Sequence, residues 1–186
     1  AHLARLSDAC ALLGKDWHLN TARDLLASFA ATEATVVRLM VGPKGARLEA
    51  RMFEPWPDPL VLRIAPERLD SQERLLGLKT THRPWYAAAP IDRLFLNEHD
   101  ELCETAIANV AVKIAGQWLT SPCDCGLLPG IARGEALASG MLIEARIKRA
   151  ELADAEEVSV LNSVRGWGPV SAVIDEAGGT LWTRDG

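Results

Sequence analysis

Apolar residues at Leu3, Leu6, Cys10 and Leu13 recur at the spacing of one helix face, and Gly14 follows as a stop. A second helix is expected over NTARDLLASFAA, with Asn20 or Thr21 as its N-cap. The period then changes. ATVVRLMV and ARLEARMF are β-rich runs joined by GPKG, which predicts a hairpin. Three prolines in EPWPDP, residues 54–59, exclude helix and central strand, and LVLRIA follows as a short strand.

After Lys79 the pattern predicts a short helix or turn through RPWYAAAP, then strands RLFLN and ELCET flanking the turn NEHD. NVAVKI and QWLTS flank Ala115-Gly116 as a second hairpin. A Pro-Gly turn leads into a helix from about Ile131 to Ser139, closed by Gly140. EARIKRA and EEVSVLN read as strands, PVSAVID as the last strand, and the polar ending EAGGTLWTRDG as a fraying tail. The expectation is an α+β protein, with a small lobe over 1–76 and a larger, mostly antiparallel lobe with helices over 77–186.

Composition narrows this picture. The chain has 186 residues, 48% hydrophobic and 24% charged, enough to bury a real core. No apolar run approaches the ~20 residues of a membrane helix. The net charge of −5 has no large basic block to offset it, which argues against nucleic acid as the main partner but leaves room for a small anionic substrate. The four cysteines are read as reduced, which points to the cytoplasm. Cys123-Asp124-Cys125 lacks a second matching pair, so no metal site is expected.

Candidate chemistry lies in the second half. Lys79 sits in LLGLKTTHR, and Glu104 closes a strand 25 residues later. LPGIAR ends a turn and opens a helix at Ile131-Ala132, whose free amides and positive dipole end suit a phosphate. LNSVRGWGPV, residues 161–170, is a polar glycine-containing loop in which Asn162 and Ser163 offer further donors. No Walker-type loop or dinucleotide fingerprint is present.

Five segments occur in an order that resembles the class IV aminotransferases, the fold-type IV pyridoxal-phosphate enzymes: HLARL, GLKTTHR, LFLNEHDELCETAIAN, SPCDCGLLPGIAR and NSVRGWGPV. KTTHR, CGLLPG and NSVRGW look most like the 4-amino-4-deoxychorismate lyase branch. The resemblance implies pyridoxal 5'-phosphate as cofactor and a homodimer with its active site near the interface. Lys79 matches the lysine that forms the internal aldimine and shuttles protons, which calls for a lowered pKa. Glu104 matches the carboxylate on the pyridine nitrogen, and Arg5 the arginine of a helix motif that binds the phosphate. Ile131 and Ala132 match the helix-start amides, and Asn162 with Ser163 the second phosphate-facing loop. Arg165 and Arg83 are the candidates for a substrate carboxylate, while Tyr86 and the histidines read as structural.

The implied activity is elimination of pyruvate from aminodeoxychorismate to give 4-aminobenzoate, a step of folate biosynthesis. Two rivals stay open: a D- or branched-chain amino-acid aminotransferase with the same cofactor residues, and a cofactor-free relative acting as a dimerisation module. Taken singly, Arg5 is also an ordinary solvated helix charge, Glu104 a strand-end acid and Pro129-Gly130 an everyday turn. The chain departs from the family at Ala108 and Ala111, where serine and phenylalanine are common. It opens at Ala1 already in helical spacing, so the family's first strand, with a threonine thought to assist proton transfer, has no counterpart to name.

Overall fold

The computed structural model describes residues 1–86 and 90–184. They form two compact units that divide between Pro55 and Trp56, so residues 56–76, grouped with the first lobe by sequence, fall in the second, where Val61–Leu69 joins its sheet.

In the first unit, α1 (His2–Leu12) buries Ala9 and Cys10 and ends at Gly14, whose φ of +59° is cheap only for glycine. Helix α2 (Leu19–Ala27) starts one residue before Asn20, with His18 as N-cap and no side-chain cap. Strands β1 (Thr35–Gly42) and β2 (Gly45–Met52) form the expected hairpin, in register from Thr35–Met52 to Gly42–Gly45.

In the second unit ten strands form one mixed sheet among the described residues. Strand β3 (Val61–Leu69) lies parallel to both β4 (Arg93–Asn97) and β11 (Ala172–Ile174). Pro66 cannot donate to a ladder, and the register between β3 and β4 shifts between Ile64 and Arg68, around it. Strands β5 (Leu102–Thr105), β6 (Asn109–Ile114), β9 (Glu157–Asn162) and β10 (Gly166–Pro169) continue the sheet antiparallel. The other edge of β6 branches: Asn109 pairs with Glu104 of β5, while Val112–Ile114 pair with β7 (Gln117–Thr120). The β6–β7 turn puts Ala115 and Gly116 at φ +50° and +75°, the left-handed pair a two-residue hairpin demands.

Both sheet faces are covered, as the near-continuous apolar strands require. Leu94 and Leu96 join Leu62, Ile64 and Val160 in the main core, while Phe95 packs with Leu69, Leu76 and Tyr86. Helix α3 (Ile131–Ala138) packs Ala136 against Ala111 of β6 and Leu161 of β9. No helix among the described residues is long and apolar enough to cross a membrane.

Two expected elements differ. EARIKRA does not form a strand beyond β8 (Ile143–Glu144), because its backbone serves separate segments. Ala145 N–H donates to Thr120, Arg149 N–H donates to Asp100, and the Ile147 carbonyl accepts from Leu102. A 3₁₀ turn over Arg149–Asp154 follows, with the Glu151 carboxylate accepting from Lys148 N–H. Up to residue 184 the ending does not fray either: β12 (Thr180–Thr183) pairs with β11, and Trp182 is buried with its indole N–H on the Ala155 carbonyl. Of RPWYAAAP, Pro84–Tyr86 form a 3₁₀ turn and 87–89 lie outside the described residues.

Candidate functional site

Lys79 is exposed and lies between two 3₁₀ turns. The first, Arg74–Gly77, is capped by Glu73, whose carboxylate accepts from Leu75 N–H at 2.9 Å, and anchored by fully buried Leu76. The second, Pro84–Tyr86, is closed by Tyr86 N–H on the Arg83 carbonyl.

Glu104 is 2% exposed on β5. Its Oε1 accepts from Arg83 Nη2 at 2.8 Å and from the Tyr86 hydroxyl at 2.9 Å. Its Oε2 accepts from Asn109 Nδ2 at 3.3 Å. Burial pushes the carboxyl above the ordinary carboxylate range, and Arg83, the Tyr86 hydrogen bond and the positive charge of Lys79 oppose that rise. The structure thus brings Lys79 and Glu104 within electrostatic reach of each other. Arg83, expected to await a substrate, is instead 90% buried in its side chain and paired with this acid.

Asn109 ties the acid to the helix start. The same Nδ2 also donates to the Leu128 carbonyl at 2.9 Å, and the Gly130 backbone packs so tightly against Oδ1 that a Cβ there would overlap it. Gly130 is the N-cap of α3 and has no side chain to spend on the first amides, so no side-chain cap occupies the helix end at Ile131 and Ala132. An uncapped helix start is a ready anion cradle.

The turn before α3 is held from the other side. Glu101 is 4% exposed, and its Oε2 accepts from Asn97 Nδ2 (2.8 Å), Arg146 Nη1 (2.9 Å) and the Cys125 thiol (3.3 Å), while Lys148 reaches Oε1 at 3.1 Å. Burial works against the charge, but these hydrogen bonds outweigh it and bring the carboxyl down to about 2. Burial and the neighbouring Glu101 push the Cys125 thiol up to about 12, so it stays a thiol. All four cysteines are free, and only Cys123 is exposed.

The β9–β10 loop lies beside the β5–β6 loop. Asn162 Nδ2 donates to the Ile107 carbonyl at 3.3 Å, and its Oδ1 accepts from the amides of Val164 and Arg165. Asn162 therefore shapes the hairpin, and Ser163 is exposed at its tip. The Arg165 guanidinium lies 5.0 Å over the Trp56 ring, whose indole N–H donates to the Gly166 carbonyl. Gly168 lets that ring lie flat on the strand. Arg5 lies half-buried on α1 in the first unit.

Two residues matter more than sequence reasoning allowed. Tyr86, the chain's only tyrosine, is a ligand of Glu104, and Asn109 joins acid to helix start. A signal for Asn109 was present: a polar residue opening an apolar strand, across a short loop from Glu104. Two open clefts of about 390 and 420 Å³ lie in the first unit, and none of the candidate residues lines them. Among the described residues no group of three or more His, Cys, Asp or Glu is placed to hold a metal ion.

Comparison with known structures finds a "Putative amino-acid aminotransferase" from Mesorhizobium loti at 35% identity, with 93% of this chain and 90% of that one covered and a TM-score of 0.85. The 4-amino-4-deoxychorismate lyase of Pseudomonas aeruginosa follows at 24% identity, 98% and 78% coverage and a TM-score of 0.75. The branched-chain amino acid aminotransferase of Escherichia coli gives 18% identity, 92% and 68% coverage and a TM-score of 0.75. A search of curated proteins returns no match. The family model for amino-transferase class IV matches residues 1–173, nearly the whole chain. The chain belongs to amino-transferase class IV, with the fold of the fold-type IV pyridoxal-phosphate enzymes.

Proposed function

We propose that this chain binds pyridoxal 5'-phosphate through Lys79 and acts as a 4-amino-4-deoxychorismate lyase, eliminating pyruvate and leaving 4-aminobenzoate. The observation that carries the reading is Glu104: a buried carboxylate, bound by cationic and polar donors, within electrostatic reach of Lys79. Donors from Arg83, Tyr86, Asn109 and the Leu128 main chain favour the charged form of Glu104, the form that would pair with a protonated ring nitrogen. The uncapped start of α3 suits the phosphate, so the residues present fit the cofactor.

When bound, the cofactor ring supplies an electron sink for the carbanion formed at the amine-bearing carbon. Lys79 would provide the covalent anchor, and once the substrate amine has displaced it, its freed Nζ would take the proton from that carbon. Glu104 keeps the facing nitrogen protonated, and the amides of Ile131 and Ala132 hold the phosphate. Because Arg83 is engaged by Glu104, recognition of the substrate carboxylates falls to Arg165. A homodimer completes the reading, and gel filtration tests it.

Amino transfer to a keto acid is the second reading, favoured by the 35% likeness to the Mesorhizobium loti protein. Purified protein separates the two. Pyruvate released from aminodeoxychorismate with no amino-acid acceptor supports the lyase, and turnover only with an amino acid plus a keto acid supports the aminotransferase. A yellow protein that gains cofactor mass at Lys79 on borohydride reduction supports both. A protein that stays colourless with added pyridoxal phosphate overturns both and favours a dimerisation module.

A further inference from the structure

We propose that Arg83 and Tyr86 are positioning residues that clamp Glu104 by one oxygen, so that its other oxygen is presented to the ring nitrogen of the cofactor. This rests on the cofactor reading above. Both donors end on Oε1, at 2.8 and 2.9 Å, whereas the side-chain contact to Oε2, from Asn109, is longer at 3.3 Å; the Leu128 main chain adds a hydrogen bond to the carboxylate. The two oxygens are therefore unequal in their side-chain contacts: Oε1 carries both short ones, and Oε2 the longer one.

The clamp is built into the core and is not a surface pair. Tyr86 is 7% exposed and meets Phe95 edge-on at 4.9 Å, and the Arg83 guanidinium lies 4.1 Å over the Tyr86 ring. Phe95 on β4 thus fixes the tyrosine, the tyrosine fixes the arginine, and both fix the acid. The chain itself couples clamp to amine, since Arg83 and Tyr86 follow Lys79 by four and seven residues.

The charged and titratable groups facing Glu104 are Arg83, Lys79 and Tyr86, while Cys103 and Cys123 lie close enough to feel its charge. Burial, Glu104's own charge and its hydrogen bond push the Tyr86 hydroxyl well above the ordinary range, so it remains a donor. Against the burial of Glu104, removal of either donor lets its proton affinity rise.

Tyr86→Phe deletes one oxygen and leaves the ring packed on Phe95 and under Arg83, and Arg83→Lys keeps the charge while losing the stacked fork. In cofactor-free protein, the side-chain carboxyl of Glu104 is titrated by carbon-13 NMR, its signal identified by its loss in Glu104→Gln. The midpoint is expected to rise by about one pH unit in Tyr86→Phe. Affinity for pyridoxal phosphate, read by absorbance, is expected to fall about tenfold in the same variant. An unmoved midpoint in both Tyr86→Phe and Arg83→Lys overturns the clamp, as does a moved midpoint with unchanged cofactor affinity. Wild-type protein that binds no pyridoxal phosphate instead overturns the cofactor reading, an outcome distinct from a variant that merely matches wild type.

Discussion

Glu101→Gln tests how the hairpin grips the turn that launches α3. Glu101 falls from an ordinary 4.5 to about 2, because hydrogen bonds from Asn97, Lys148, Cys125 and Arg146 outweigh the burial that opposes them. At about 1.4 kcal/mol per pH unit this corresponds to about 3 kcal/mol. Arg146 and Lys148 are 47% and 49% exposed in their side chains, so water screens them and about 2 kcal/mol is the better figure. The folded value is the lower one, so the stabilisation is complete above 4.5 and disappears as pH falls through about 2. Urea unfolding followed by tryptophan fluorescence reads it, since five of the six tryptophans lie in the second unit. Glu101→Gln should be less stable than wild type by about 2 kcal/mol near neutral pH, and the gap should narrow steadily in acid. The mispaired amide facing Asn97 adds a cost that does not vary with pH. A gap of constant size from neutral pH down to about 2 would refute the reasoning.

Three glycine substitutions test close approach. Gly130→Ala forces a methyl into Asn109 Oδ1, and loss of cofactor binding by absorbance is the expected result. Gly134→Ala, four residues on with nothing within 4 Å, should instead stabilise the protein by about 0.5–1 kcal/mol in thermal unfolding. Gly168→Ala places a Cβ 2.6 Å from the Trp56 ring. It should cost about 1–3 kcal/mol and change the near-ultraviolet circular dichroism as the indole leaves the Gly166 carbonyl.

What the sequence disclosed was the local part of the fold. Both hairpins and α1 and α3 were legible because a few neighbouring residues determine each: apolar spacing, Gly14, Pro43-Lys44, Ala115-Gly116. Pairing between distant segments was not. Nothing in LVLRIA says that it lies parallel to both β4 and β11, and nothing in the polar ending says that Trp182 has a place under the Ala155 carbonyl. EARIKRA misled because its alternation reflects side chains serving Glu101 and Asp124, while its backbone is shared between Thr120 and the Asp100–Leu102 stretch.

The site follows the same division. Lys79 and Glu104 were singled out through the ordered family segments, but the groups that hold Glu104 were not, because a hydrogen-bond partner leaves no periodic trace. Arg83 looked like a receptor for an anion outside the protein, and the anion it meets is Glu104. The physical reason lies in the sheet: β6 changes partner from β5 to β7 just beyond Asn109, so the sheet opens where Glu104 sits. An opening in a sheet exposes unpaired polar groups to the core, and those must be satisfied by side chains. Asn109 closes one side through Leu128 and thereby places the α3 start; Arg83 and Tyr86 close the other and thereby place the segment that carries Lys79. The branch that costs the sheet a strand pairing is thus the feature that draws amine, acid and helix start together.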